Sequence, residues 1–188
     1  MKIDRIIKAD LFRYGGLSGT KGFFKGLLLK KGFRYMYLLR KASKCKKYSI
    51  KWWFWIFLMR KHSFKYGFQI PSDTEIGEGF YIGHFGTVVI NPNAKIGKNC
   101  NIAHNVTIGQ TSRGKLKGYP TIGNNVWIGT GSVIVGNINI ASNVLIAPNS
   151  FVNVDVPSNS IVLGNPCRII YKENPCDCYI EFVYESKE

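Results

Sequence analysis

The chain has 188 residues, 45% hydrophobic and 14% aromatic, a composition that suits a folded globular protein and excludes a disordered tail. Its net charge of +15 is unevenly placed: residues 1–66 hold 18 Lys and Arg against 2 acids, a net +16, whereas residues 67–188 hold 8 against 9, a net −1. The five cysteines, odd in number and without paired C-x-x-C spacing, exclude a zinc ribbon and a complete disulfide framework, and are expected to be reduced thiols.

The N-terminus, MKIDRIIKAD, lacks the apolar core of a signal peptide, and the most apolar stretch, WWFWIFLM at 52–59, is shorter than the ~20 residues that span a bilayer. A cytoplasmic protein is therefore expected. Residues 1–66 form a basic, aromatic-rich region in which GFFKGLLLKKGFRYMYLLRKASKC spaces its apolar residues as short amphipathic helices broken at Gly22, Gly26 and Gly32. Two or three helices are predicted. Trp52, Trp53, Trp55 and Phe57, beside Lys51, Arg60 and Lys61, suit either internal packing or peripheral contact with an anionic membrane face. Nucleic acid would answer to the same charge, but no recognised motif accompanies it and no such partner is expected.

From residue 67 an aliphatic residue returns at every sixth position. Ile70, Ile76, Ile82 and Val88 keep one phase, Ile96, Ile102 and Ile108 a second, and Ile122, Ile128, Ile134, Ile140, Ile146 and Val152 a third. A hexapeptide period predicts a mainly β chain: a parallel β-helix over residues 67–171, with the aliphatic residue pointing inward and the small residue after it at the corner. Residues 172–188 are left as a C-terminal tail. The phase breaks add detail. Ile82 to Ile96 is 14 residues, two more than two repeats, which places a bulge just after His84; Ile108 to Ile122 is again 14, and GQTSRGKLKGYPT reads as a protruding loop.

His84 and His104 each stand two residues after an inward isoleucine, so they share a slot on adjacent coils, ~5 Å apart by strand spacing. Two imidazolium ions that close repel, so at least one ring is expected to be neutral and able to act as a general base. With only these two histidines in the repeats and no third ligand, no metal site is expected. Cys100 has no base in its slot and reads as a wall residue.

The hexapeptide run together with GHFGTVVI, AHNVTIGQT before an excursion ending in YPTIG, WIGTGSVIVGN and VPSNSIVLGNPCRII resembles the serine acetyltransferase branch of the left-handed β-helix acyltransferases. The basic N-terminus with FRYMYLLR further resembles members from bacterial exopolysaccharide and capsule gene clusters. The resemblance implies left-handed coils, a homotrimer with an acetyl-CoA site between neighbours, and a catalytic base at His84 with His104 beside it. It implies acetyl-CoA contacts from backbone groups of Thr130 and Pro148, from Gln110 beside the thioester and from Arg168 near the nucleotide end. A backbone N–H at the start of the loop would stabilise the oxyanion.

Two positions on the acceptor side depart from the serine acetyltransferase pattern. The aspartate that orients the base is Gln69 here, and the histidine before the proline of the returning loop is Tyr119; Asp73 offers a carboxylate nearby, but its slot does not match the family's. These departures and the shortened helical region lead to an expected function as an acetyl-CoA-dependent O-acetyltransferase acting on a sugar hydroxyl in cell-surface polysaccharide or glycolipid synthesis, at the inner membrane face. Serine O-acetylation for cysteine synthesis and a non-catalytic structural β-helix are the alternatives.

Overall fold

Residues 4–184 are described in the structure, a computed structural model. Each of the first four coils gives one short strand to each of three sheets, and the fifth gives strands to the first and third and a single bridge, Val156 to Ile140, to the second. The first sheet stacks β1 (Phe68–Gln69), β4 (Val88–Ile90), β7 (Val106–Gly109), β10 (Val133–Val135) and β13 (Phe151–Val152). The second holds β2 (Glu75–Ile76), β5 (Lys95–Ile96), β8 (Thr121–Ile122) and β11 (Asn139–Ile140). The third holds β3 (Tyr81–Ile82), β6 (Asn101–Ile102), β9 (Val126–Ile128), β12 (Val144–Ile146), β14 (Ser160–Leu163) and β15 (Arg168–Tyr171). Pairing is parallel up to β14, and the architecture is consistent with a left-handed β-helix. The last strand departs from the repeat: β15 turns back and pairs antiparallel with β14.

The register locates the phase breaks. Val88 pairs with Val106, 18 residues on, but Phe68 pairs with Val88 and Tyr81 with Asn101, 20 residues on. The two extra residues therefore sit in the corner at 83–87, which contains His84. This corrects the phase assigned to Val88. Ile90 is the residue that stacks between Ile70 and Ile108, while Val88 belongs to a parallel buried column with Phe68, Val106, Ser132 and Ser150. The corners need two features. A Cβ on Gly97 would lie 2.5 Å from Gly123 O, so the small residue after each aliphatic one permits coil-on-coil approach. The left-handed backbone falls three residues after the aliphatic position, at Asn99, Asn105, Asn125, Asn143 and Asn149, where asparagine tolerates a positive φ.

Residues 4–66 contain four helices, not two or three: α1 (Arg5–Phe12), α2 (Gly19–Leu29), α3 (Lys31–Ser43) and α4 (Ile50–Tyr66). Gly22 and Gly26 lie within α2, and Gly32 is in the first turn of α3, so none is a breaker. Gly26 and Gly32 are close-approach positions. A Cβ on Gly26 would be 2.6 Å from Leu11 Cδ1 and 2.9 Å from Phe33 Cδ1, and one on Gly32 would be 2.2 Å from Ile82 O. What ends α4 is Gly67, at φ 78°, with its N–H donating to Ser63 O at 2.8 Å.

The helices close the first end of the prism. Tyr35, Met36 and Leu39 of α3 share one buried cluster with Phe68, Ile70, Phe80 and Ile82, and the Tyr35 hydroxyl donates to Ile70 O at 2.9 Å. Asp10 and Arg40 form a buried ion pair at 2.9 Å; Asp10 accepts the N–H groups of Gly79 and Phe80, and Arg40 donates to Ile76 O and Gly77 O. Backbone groups of the first coil, unpaired on that side, are thereby satisfied and the sheet edge is covered. After β15 the chain runs back along the third sheet. Cys176 Sγ contacts Asn125 O, the Tyr179 ring packs on Trp127 with centroids 4.9 Å apart, and Arg13 Nε donates to Glu181 O at 2.9 Å.

Candidate active site

In the third sheet Ile82, Ile102, Ile128 and Ile146 are register partners, coil upon coil. Two residues beyond each stand His84, His104, Thr130 and Pro148, and the bonds Gly131 N–H to His104 O (3.2 Å) and Asn149 N–H to Thr130 O (2.8 Å) carry the stacking through the corner. Four of the predicted site residues thus form one column on one prism edge. His84 is exposed and His104 half-buried; their rings meet edge to face, with centroids 5.8 Å apart and planes at 83°. His104 Nδ1 is buried and has no hydrogen-bond partner among the described residues.

His84 stands between two clefts. One, of about 200 Å³, is lined by His84, His104, Thr130, Tyr81, Asn101 and Trp127. The other, of about 280 Å³, is lined by His84, Phe85, Tyr81, Tyr14, Lys30 and Lys31. Tyr81, Asn101 and Trp127 were missed in the sequence although a signal for them exists, since each immediately precedes an inward isoleucine and must face outward in the neighbouring column. Tyr14, Lys30 and Lys31 come from the helical region, where no repeat marks them.

The other predicted residues are dispersed within one chain. Arg168 is exposed on β15, five strands from β3, or ~24 Å along the prism at ~4.8 Å per strand. Gln69 faces outward on β1 and lines neither cleft. Gln110 and Tyr119 bracket the excursion between β7 and β8, on the edge joining the first and second sheets and not the edge that carries His84. That excursion is a hairpin closed by paired bonds between Thr111 and Gly118, at 3.1 and 3.0 Å. It is less free than the expected protruding loop, because Leu116 O accepts Asn137 N–H at 2.9 Å and ties it to the next coil. Asp73 pairs with Lys47 at 3.1 Å and not with His84, so its exposed carboxylate does not orient the base.

Cys100 is fully buried with Sγ 3.2 Å from Gly123 O, and burial pushes its thiol up to about 12, which fits a wall residue and not a nucleophile. Among the described residues no three His, Cys, Asp or Glu side chains converge as a metal site. The residues present do fit an extended thioester co-substrate. The small residues Gly83 and Ala103 line the cleft that holds His104, whose Nδ1 is buried without a partner among the described residues.

Comparison with known proteins agrees with this geometry. The bacterial transferase hexapeptide family (six repeats) matches residues 73–110 and 119–153, leaving out the hairpin. The serine acetyltransferase of Synechococcus elongatus is 42% identical over 106 residues, 56% of this chain and 43% of that protein. The serine acetyltransferase of Staphylococcus epidermidis is 44% identical over 107 residues, covering 57% and 50%. Among solved structures, Neisseria gonorrhoeae serine acetyltransferase superposes with a TM-score of 0.73 at 30% identity, over 90% of this chain and 66% of that one. Brucella abortus serine acetyltransferase in complex with coenzyme A gives 0.72 at 29% identity, over 90% and 66%. The chain spans half or less of the curated relatives' length.

These relatives overturn the expected sugar acceptor and its polysaccharide setting. That reading rested on Gln69, Tyr119 and the shortened helical region, whereas the relatives, alike over 106 and 107 residues, are named serine acetyltransferase. The six-residue register and the stacked corner column agree with this match, and over residues 73–110 and 119–153 the chain is similar to the hexapeptide-repeat transferases.

Proposed function

We propose that the chain transfers an acetyl group from acetyl-CoA to the hydroxyl of serine, and that it works as a homotrimer. The observation that carries the reading is the column His84, His104, Thr130 and Pro148 on one edge, with His84 between two clefts. Acetyl-CoA supplies the activated acyl carbonyl. The chain's own residues supply the rest: His84, exposed at the meeting of the clefts, takes the proton from the acceptor hydroxyl as its oxygen attacks the acetyl carbonyl and returns it to the sulfur as the C–S bond breaks, and His104 holds the edge of its ring. The prism edge past Thr130 and Pro148 toward Arg168 takes the length of the co-substrate. Lys30 and Lys31, on the other side of His84, face the acceptor's carboxylate.

A trimer is supported by what one chain leaves apart. Gln110 and Tyr119 are on a different prism edge from His84, so a neighbour packed edge to face brings its own hairpin to the cleft and completes the site. The test is thiol release from acetyl-CoA with L-serine present, with O-acetylserine identified by mass. A folded protein that releases no thiol in response to serine overturns the proposal.

A further inference from the structure

The helical region presents an unpartnered apolar face. On α4, Ile56, Met59 and Tyr66 are buried against the prism and the other helices, yet Ile50, Trp53, Phe54, Phe57 and Phe64 point outward, with Ile50 90% and Phe64 85% exposed. Their spacing of three, four and seven residues puts them on one stripe. On α2, Phe24, Leu28 and Leu29 are likewise exposed. The two helices are joined by an unbroken run of rings. Phe24 meets Phe23 at 5.7 Å, Phe23 meets Tyr37 of α3 at 5.3 Å, Tyr37 meets Trp55 at 6.1 Å, and Trp55 meets Phe54 at 5.1 Å.

The charge around this face indicates what covers it. Residues 19–66, which include α2, α3 and α4, hold 14 Lys and Arg and no Asp or Glu; Arg40 is neutralised by Asp10 in the interior, and Lys44 and Lys47 pair with Asp4 and Asp73, which leaves eleven. A second copy of the same face would set cation against cation, so self-association is opposed where an anionic partner is favoured. A folded acidic protein would satisfy the charge, but eight exposed large side chains interleaved with long cationic ones match the depth profile of a lipid interface. There, rings and leucines enter the headgroup boundary while Lys and Arg stems reach out to phosphate. Among the described residues no helix is long and apolar enough to cross a membrane, so contact would be from one side.

We infer that the α2–α4 face docks the protein on an anionic lipid surface, with Phe54, Phe57 and Phe64 inserted and the lysines over the headgroups. This does not depend on which acceptor the site uses. The experiment is co-sedimentation of the full chain with vesicles of phosphatidylcholine alone and of phosphatidylcholine with about one third phosphatidylglycerol, at low and high salt. Expected are binding to the anionic vesicles at 0.1 M salt, loss of most of it at 0.5 M as screening shortens the field's reach, and little binding to phosphatidylcholine alone. A Phe54→Ser, Phe57→Ser, Phe64→Ser variant should bind at least tenfold more weakly with unchanged circular dichroism and acetyl transfer, because all three side chains are exposed and lie outside the clefts. Trp53 fluorescence should shift to the blue on binding in the parent. No sedimentation with anionic vesicles, no effect of the triple substitution on it, displacement of vesicles by stoichiometric duplex DNA, or loss of the oligomer in the variant with vesicle binding intact would each overturn the inference.

Discussion

The Nζ of Lys31 lies 3.7 Å from the ring centroid of Phe85, the residue that follows His84, so the first turn of α3 and the extra-long corner of the prism meet over the larger of the two clefts at His84. A cation over an exposed ring contributes about 0.5–1 kcal/mol, enough to place the lysine but not to consume its charge. Lys31→Met keeps the stem and removes the cation. It is expected to raise the KM for L-serine several-fold while leaving the KM for acetyl-CoA within twofold, in steady-state kinetics with each substrate varied in turn. Equal changes in both constants would place Lys31 outside acceptor binding.

The ion pair of Asp10 and Arg40 links α1, α3 and the first coil. Both side chains are almost fully buried, and six hydrogen bonds connect them to each other and to the backbone at 76–80. Removing one partner leaves the other charge buried and uncompensated, which costs about 3–5 kcal/mol. Asp10→Ala should therefore lower the denaturant midpoint strongly, and a combined Asp10→Ala, Arg40→Met variant should recover part of the loss. Additive losses would mean that the two residues act independently.

Gly26 gives a prediction whose sign separates two readings. As a helix breaker it would be improved by alanine, which favours a helix interior by about 1 kcal/mol over glycine. As a contact residue it cannot accept a methyl, because Leu11 and Phe33 are buried and a Cβ would fall within 3 Å of each, an overpacking that costs about 1–3 kcal/mol. Gly26→Ala is expected to destabilise the protein, as read by thermal unfolding. A rise in Tm would restore the breaker reading.

The same glycine shows why the two regions differed in legibility. In the prism each residue's neighbours are fixed by a period of six, so inward isoleucines, the slot shared by His84 and His104, and the extra residues near His84 could be read directly; only the phase of Val88 was misassigned, because it too faces the core. The asparagines at positive φ were equally periodic and went unread. In the helical region, contacts such as Gly26 with Phe33 or Lys31 with Phe85 join elements that no repeat relates. The residues proposed to face the acceptor lie there and on the hairpin, where no period of six reaches, which explains why the column was legible and they were not.

The cysteines offer a chemical check on the packing. Burial pushes Cys100 up to about 12 and Cys176 up to about 11, so at pH 8 they remain thiols, with thiolate fractions of roughly 10⁻⁴ and 10⁻³. Cys178 is exposed. Iodoacetamide at pH 8 should label Cys178 within minutes and spare Cys100 and Cys176 until denaturant is added, as mapped by peptide mass. Early labelling of Cys100 would contradict the closed prism.

The central claim is that His84, at the junction of the two clefts, is the general base. A positioned base is typically worth about 10²–10⁴ in rate. The direct measurement is kcat for serine-dependent thiol release from saturating acetyl-CoA, parent against His84→Ala, with circular dichroism and sedimentation confirming equal fold and assembly. The account predicts a fall of at least ~10²-fold for His84→Ala. A kcat close to the parent's in a folded His84→Ala protein would contradict it.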